Sequence, residues 1–276
     1  MLDISFHPTY TEISNFYIPN SFNLDYMKVY FIGAGPGDPE LITVKGKRII
    51  ESSGYCIYAG SLVNKDILNY CGDSTKIYDS ASMAIDEIIK VMEEAKDKNV
   101  NVARVHTGDP SIYGAIQEQM SELDKREIDY EVVPGVSSFL AAASSLKQEL
   151  TLPGVSQTII ITRIEGRTPV PETEKLEVLS KTKATLCIFL SVKEIKRVAE
   201  ILKPAYGNDC PVAIVYKASW KDEKIINSDL DHVVDATIQN DIKKTAMIIV
   251  GDVLSRNFEY SKLYDKHFKH SHREKS

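Results

Sequence analysis

Gly33-Ala34-Gly35-Pro36-Gly37-Asp38-Pro39 follows directly on the run Lys28-Val29-Tyr30-Phe31-Ile32, and the reading of this junction decides the fold. A short β-branched and aromatic run ended by glycine and proline is a buried strand entering a loop. Asp38 suits a helix N-cap and Pro39 a first helical position, so the spacing predicts a helix over 41–52. The glycines invite a dinucleotide-binding reading. That fingerprint, GxGxxG, needs glycine at position 38, where aspartate stands, and Pro36 stiffens its middle. A phosphate-binding Walker loop also fails, because Gly46-Lys47 is followed by Arg48 and no glycine stands at position 41.

Working outward, the same device recurs. Val105-His106-Thr107-Gly108-Asp109-Pro110 ends another apolar run, with Asp109 as N-cap and Pro110 opening a helix. Pro134-Gly135-Val136-Ser137-Ser138 forms a third loop, followed by an alanine-rich stretch whose small side chains allow close helix-to-sheet packing. Strands are predicted over 28–32, 55–58, 100–105 and 130–133, and helices over 41–52, 61–70, 83–96, 112–125 and 137–146. That alternation implies parallel strands with crossover helices. Loops at the carboxyl ends of such strands surround a crevice where open α/β sheets bind ligands.

The pattern pauses over 148–156, at Pro153-Gly154, and a second set begins. Strands are predicted over 158–162, 185–190, 211–218, 223–227 and 246–250, with helices over 172–180, 193–202 and 230–240. The turn at 220–222 makes a hairpin, hence an antiparallel edge and a mixed second sheet. The expected units are an α/β domain over 28–147 and a second over 157–255. A polar tail over 256–276 and a disordered extension over 1–27 flank them, the extension lacking any sustained period. The alternative for that extension is a natural start at Met27.

Composition bounds the class. The chain has 276 residues, 43% hydrophobic and 26% charged, as ordinary globular proteins do. No apolar run approaches the ~20 residues of a membrane-spanning helix. The first residues lack the basic start and apolar core of a secretory signal, so a cytoplasmic location is expected. Cys56, Cys71, Cys187 and Cys210 form no CxxC pair, which argues against zinc and against a disulfide scaffold. A net charge of −6 disfavours a general nucleic-acid binder.

Taken in order, GAGPGDPELIT, HTGDPSIYGA, PGVSSFLAAA, TRIEGRTPVPE, PVAIVYKASWKDEKI and TAMIIVGDVL resemble the tetrapyrrole methylase family over about residues 28–255. TRIEGRTPVPE and YKASWKDEKI are most similar to its precorrin-4 carbon-11 branch. The resemblance implies a tetrapyrrole methylase-like fold: two α/β domains, the second with a mixed sheet, and a cofactor cleft between them. It implies a homodimer that uses S-adenosylmethionine to methylate carbon 11 of cobalt-precorrin-4 or precorrin-4, a step toward cobalamin. Carried over by position, the donor contacts are Pro36 in the first loop and Thr107, Gly108, Asp109 and Ile112 around the second. Ser137 and Ser138 follow in the third, then Leu190, Ala218, Thr245 and Ala246. Many relatives carry methionine where Leu190 stands, and leucine keeps the apolar contact.

The implied substrate is a polycarboxylate, and arginine forks suit carboxylates. In an acidic chain this makes Arg163, Glu165 and Arg167 the candidate substrate clamp, with help from Lys217 and Lys221 and a hydroxyl from Tyr113. Bland readings stand beside these. Leu190, Ala218 and Ala246 also suit core positions at strand ends, the 163–167 loop a solvated face, and His106 a structural role. His267, His270 and His272 read as incidental in a polar tail, and no metal is expected. No triad or carboxylate pair is evident, so no catalytic residue is named. Three other functions remain open: a family member with another ring position or acceptor, a nicotinamide dehydrogenase built on 33–37, and a non-catalytic corrinoid carrier.

Overall fold

The structure, a computed structural model, describes residues 27–166, 168–255 and 259–261. The first half runs β1 (Lys28–Gly33), α1 (Val44–Ser52), β2 (Tyr55–Tyr58), β3 (Lys76–Asp79), α2 (Ile85–Asp97), β4 (Val102–His106), α3 (Gln117–Asp124), β5 (Asp129–Val133) and α4 (Ser138–Leu146). Its sheet has the order β3-β2-β4-β1-β5 with every pairing parallel. Apolar residues point to both faces, as a sheet covered on both sides requires. Val29 and Phe31 join Ile89, Met92 and Leu123 in one layer. Ile32, Ala103 and Val105 join Ile49 and Ile50 of α1 in the other.

The second half runs β6 (Ile159–Thr162), α5 (Leu176–Leu179), β7 (Thr185–Ile188), α6 (Ile195–Tyr206), β8 (Pro211–Tyr216), β9 (Lys224–Asp229), α7 (Val233–Gln239) and β10 (Ala246–Val250). The order is β6-β7-β10-β8-β9, and only β6 with β7 is parallel. β9 is the expected antiparallel edge. One face packs on α5, α6 and α7 around Leu186, Ile188, Leu202 and Ile214. The other packs on a helix of the first half: Ala141 and Ala142 of α4 lie against Cys187, Val215, Met247 and Ile249. The small side chains expected to permit close helix-to-sheet packing therefore serve the second sheet, and α4 joins the halves. No helix among the described residues is long and apolar enough to cross a membrane.

Several predicted elements are shorter than their apolar patterns, each for a local reason. The helix placed over 41–52 begins at Val44, because Thr43 Oγ1 accepts the Gly46 N–H at 3.1 Å, leaving Pro39–Leu41 as a single 3-10 turn. The segment 61–70 is two 3-10 turns, divided at Asn64, whose side chain accepts the Asp66 N–H. The helix placed over 112–125 starts only at Gln117. Ahead of it Tyr113 and Ala115 are left-handed, and Gly114 lies so close to Pro110 that a Cβ would stand 2.0 Å from its carbonyl oxygen. The segment 172–180 breaks into Glu172–Glu174 and the short α5. β3 was not predicted: KIYD is short and largely exposed at a sheet edge, with no apolar alternation to betray it. Of the extension over 1–27 only Met27 is described, and it is buried, with its N–H on Asn99 Oδ1 at 3.1 Å. Met27 thus belongs to the fold, while residues 1–26 lie outside the described residues.

Two basic side chains are buried on β4. Arg104 donates from Nε to Gln119 Oε1 at 2.9 Å and from a terminal nitrogen to the Ile57 carbonyl and Ser80 Oγ. Burial lowers its pKa to about 10. His106, 3% exposed, has its pKa pushed down to about 3 by burial and then by the Arg104 charge, and its Nε2 has no partner among the described residues. It is neutral at physiological pH, which supports the structural reading.

Two outcomes follow. Folded His106 titrates near 3 and an unfolded histidine near ~6.5, so the unfolded state takes up a proton as pH falls between them. Stability present above ~6.5 should be lost across that window by up to ~1.4 kcal/mol per pH unit. Urea unfolding of His106→Gln from pH 7 to 4 should show a shallower slope than wild type, whatever its absolute stability. Second, a Cβ on Gly135 would stand 2.2 Å from the Gly108 carbonyl oxygen, whereas one on Gly166 meets nothing within 4 Å. Gly135→Ala should cost ~1–3 kcal/mol in urea unfolding, with Gly166→Ala near neutral.

Candidate active site

Three loops meet where β1, β4 and β5 end. Gly33, Gly108 and Gly135 touch backbone to backbone: a Cβ on Gly33 would lie 2.5 Å from the Gly108 carbonyl oxygen and 2.6 Å from Gly135 Cα. Gly35 and Gly108 exchange hydrogen bonds, N–H to carbonyl, at 3.3 and 2.7 Å. Asp109 ties the second loop to the third, accepting the Ser111 N–H at 2.8 Å on Oδ1 and the Gly135 N–H at 2.9 Å on Oδ2. The expected capping role is corrected in its object. Asp109 caps a turn and a neighbouring loop, not an α-helix.

The opposite wall comes from the second half. β7 stops at Ile188, and Leu190 beyond it is left-handed, with φ 55° and 71% exposure. An exposed, left-handed leucine is neither a core residue nor a comfortable one. At the end of β8, Lys217 is left-handed too, and its N–H bonds the carbonyl of Thr245, itself at φ 54°, at 2.8 Å. This bond sets the loop after β8 beside the start of β10.

Between the walls lies a cleft of about 610 Å³, a size suited to a cofactor-sized ligand. Every position expected to contact the donor lines it. Pro36, Thr107, Gly108, Asp109 and Ile112 come from the first two loops, with Ser137 and Ser138 from the third. Leu190, Ala218, Thr245 and Ala246 come from the second half. Gly108 is left-handed at φ 61°, and a Cβ there would meet Ser137 Cα no nearer than 3.6 Å, so its missing side chain leaves room on the cleft side. Ile112, Val192, Val215 and Met247 make the walls largely apolar.

Tyr113 also lines the cleft, its ring 5.3 Å from Phe189. Burial raises its hydroxyl pKa, while the Arg163 charge acts to lower it. Of the expected clamp, Arg163 and Glu165 do not line the cleft. Arg163 donates to the carbonyls of Ile164, Thr168 and Pro169 at 3.2, 3.0 and 3.0 Å, closing its own loop. Glu165 pairs with Arg197, which holds its carboxyl below the usual range. Both line a separate small crevice rather than the cleft. Arg167, His267, His270 and His272 lie outside the described residues, and Lys221 does not line the cleft.

Sequence reasoning missed several residues of the cleft: Trp220, Phe189, and the lysines 193, 243 and 244. Lys217 and Lys243 pair with Asp222 and Asp241, both at 2.5 Å. Among the described residues Lys193 and Lys244 have no ion-pair partner. Asp109 is the one carboxylate among the described residues of the lining, and both of its oxygens are taken by amides. The available signal was positional: each missed residue lies within a few positions of one that was named.

Against known proteins, the family model described as tetrapyrrole (corrin/porphyrin) methylases matches residues 28–234. A cobalt-precorrin-4 C(11)-methyltransferase of Methanocaldococcus jannaschii is 56% identical over 248 residues, 89% of this chain and 96% of that protein. A precorrin-4 C(11)-methyltransferase of Pseudomonas aeruginosa is 44% identical, over 90% of this chain and 99% of that protein. Among solved structures, a cobalt precorrin-4 methyltransferase, a cobalamin biosynthetic enzyme, superposes with a TM-score of 0.82 at 45% identity, covering 84% of this chain and 97% of that one. A uroporphyrin-III C-methyl transferase of Thermus thermophilus, complexed with S-adenosylhomocysteine, has a TM-score of 0.69 at 26% identity, covering 85% and 96%. Loop order, paired sheets and sequence agree: this chain belongs to the tetrapyrrole (corrin/porphyrin) methylases.

Proposed function

We propose that the protein is an S-adenosylmethionine-dependent methyltransferase of cobalamin biosynthesis acting on carbon 11 of cobalt-precorrin-4 or precorrin-4. The observation that carries this is convergence: positions spread from Pro36 to Ala246, inferred from resemblance to donor-binding relatives, line one cleft. The 56% identity to a cobalt-precorrin-4 C(11)-methyltransferase favours that acceptor and its cobalt form. A homodimer in the cytoplasm is part of the same reading, taken from the family.

The sulfonium of the donor supplies an already activated methyl group, and an enamine-like ring carbon is already a nucleophile. The protein's task is then to align, desolvate and hold. Alignment can supply ~7–11 kcal/mol at the ideal limit. Gly108 and the third loop offer backbone at close range, with Ser137 and Ser138 beside it. Ile112, Leu190, Val215 and Ala218 keep water from the reacting atoms. Tyr113 sets a hydroxyl at the cleft for the acceptor. Arg163 acts on that hydroxyl by charge rather than by gripping substrate. The acceptor's carboxylates are assigned to Lys193 and Lys244, the cleft lysines without an ion-pair partner among the described residues.

Mass spectrometry after incubation with the donor and a tetrapyrrole series, metal-free and cobalt-bearing, should show one added methyl at carbon 11. A methyl elsewhere moves the protein to another branch, and no turnover despite binding makes it a carrier. Gly108→Val should weaken S-adenosylhomocysteine binding at least tenfold by calorimetry while circular dichroism stays near wild type. Lys193→Gln and Lys244→Gln should each raise the tetrapyrrole KM, roughly tenfold for loss of a ~1.5 kcal/mol charge-assisted contact, and leave donor affinity unchanged. An unchanged KM in both would return carboxylate recognition to the 163–167 loop.

A further inference from the structure

Trp220 is the only tryptophan in the chain. It sits in the turn between β8 and β9, yet its main contacts belong to the other half. Its indole Nε1 donates to the Pro36 carbonyl at 2.8 Å. Its ring occupies the space over Gly37, where a Cβ would stand 2.0 Å from Cδ1 and 2.2 Å from Nε1. Next to it, Ser219 Oγ accepts the Asp38 N–H at 3.0 Å. Three consecutive residues of the first loop are therefore held by two consecutive residues of a turn about 180 positions away.

The turn is itself fixed. Glu223 Oε2 accepts the Ser219 N–H at 2.6 Å and the Ser145 hydroxyl of α4 at 2.7 Å. The Lys217 amine stands 5.2 Å from the centre of the indole ring, and Lys217 and Ser219 are both left-handed. Non-glycine residues in that region cost energy and persist where their surroundings over-determine them. From the other side, Asn64 Nδ2 donates to the Gly37 carbonyl at 2.8 Å. Pro36 and Trp220 both line the cleft.

We propose that Trp220 is a positioning residue for the methyl donor, latching the first loop to the second half so that Pro36 stands at the cleft wall. This rests on the reading of the cleft as the donor site. Cohesion of the halves does not need the latch, since α4 already packs Ala141 and Ala142 into the second sheet. What the latch adds is the tie between this short loop, at the ligand's edge, and the second half. It also explains the glycine at position 37, which makes room for an indole rather than for a phosphate.

The test is calorimetric titration of S-adenosylhomocysteine into wild type, Trp220→Phe, Trp220→Ala, Gly37→Ala and the double variant Gly37→Ala/Trp220→Ala, with indole emission and thermal midpoints alongside. Trp220→Phe keeps a ring but loses the N–H, and should raise Kd about fivefold, the worth of one typical hydrogen bond. Gly37→Ala should raise Kd at least as much and shift indole emission to the red before ligand is added. The double variant should bind as Trp220→Ala does, because the three atoms nearest the added methyl all belong to the indole. In Trp220→Phe, the KM for tetrapyrrole should stay within twofold of wild type. Donor affinity within twofold of wild type in both single substitutions, additive losses in the double variant, or a matched loss of tetrapyrrole affinity would each overturn the latch. Failure of the wild type to bind S-adenosylhomocysteine would instead sink the donor reading itself.

Discussion

The contact among Gly33, Gly108 and Gly135 is the constraint on which the site depends. Three strand ends can converge on one point only if their backbones approach more closely than side chains permit, and here a single methyl on either Gly33 or Gly135 would stand 2.2 to 2.9 Å from neighbouring backbone atoms. That approach lets Gly35 and Gly108 exchange hydrogen bonds and brings the Gly135 N–H to Asp109. The amides so consumed are ones that a loop at a strand end would otherwise leave unpaired. Gly108 then turns left-handed away from the knot and gives the cleft a floor of backbone.

The facing wall is built by a different device. Leu190, Lys217 and Thr245 of that wall, and Tyr113 across from them, line the cleft with φ between 49° and 55°. Each such residue costs on the order of 1–2 kcal/mol relative to an ordinary conformation. They are held by bonds on either side, as when Phe189 donates to the Thr162 carbonyl and Lys217 to that of Thr245, both at 2.8 Å. A left-handed turn at a strand end throws the side chain off the strand's alternation, which is how Leu190 leaves the core for the cleft. Strain concentrated around a concave site is a physical sign of function. At Leu190 and Thr245 it coincides with positions that the family resemblance implied.

How much of this was legible in the sequence can be judged residue by residue. The parallel first sheet was visible because strands buried on both faces read as uninterrupted apolar runs, such as 29–32. The antiparallel hairpin of β8 and β9 was visible from two runs flanking a short polar turn. Helix starts were less so: Thr43 and Asn64 stop the chain from propagating backwards by hydrogen bonds that apolar periodicity does not encode. The residues of the cleft were legible only through resemblance, since Ala218 and Leu190 look like strand-end core by pattern alone. The orientation of Arg163 and Glu165 was not legible, because proximity in sequence says nothing about which way a side chain turns. Arg163 faces the carbonyls of its own loop, and Glu165 faces Arg197. Trp220 was read as turn, because its partners at Pro36 and Gly37 are distant in the chain.

The chemistry of the cleft agrees with this architecture in what its residues are free to do. Asp109, the one lining carboxylate among the described residues, already accepts two backbone N–H groups, so it orders loops and is poorly placed to take a proton. His106, behind it on β4, has been driven to a pKa of about 3 and stays neutral. The charges left over on the wall are amines. A site whose carboxylate is committed to holding its own backbone, whose nearby histidine stays neutral and whose free charge is positive suits a reaction between an activated electrophile and an anionic, electron-rich ring. Such a reaction asks for placement more than for proton transfer, and placement is what the glycine contact, the strained wall and the indole latch provide.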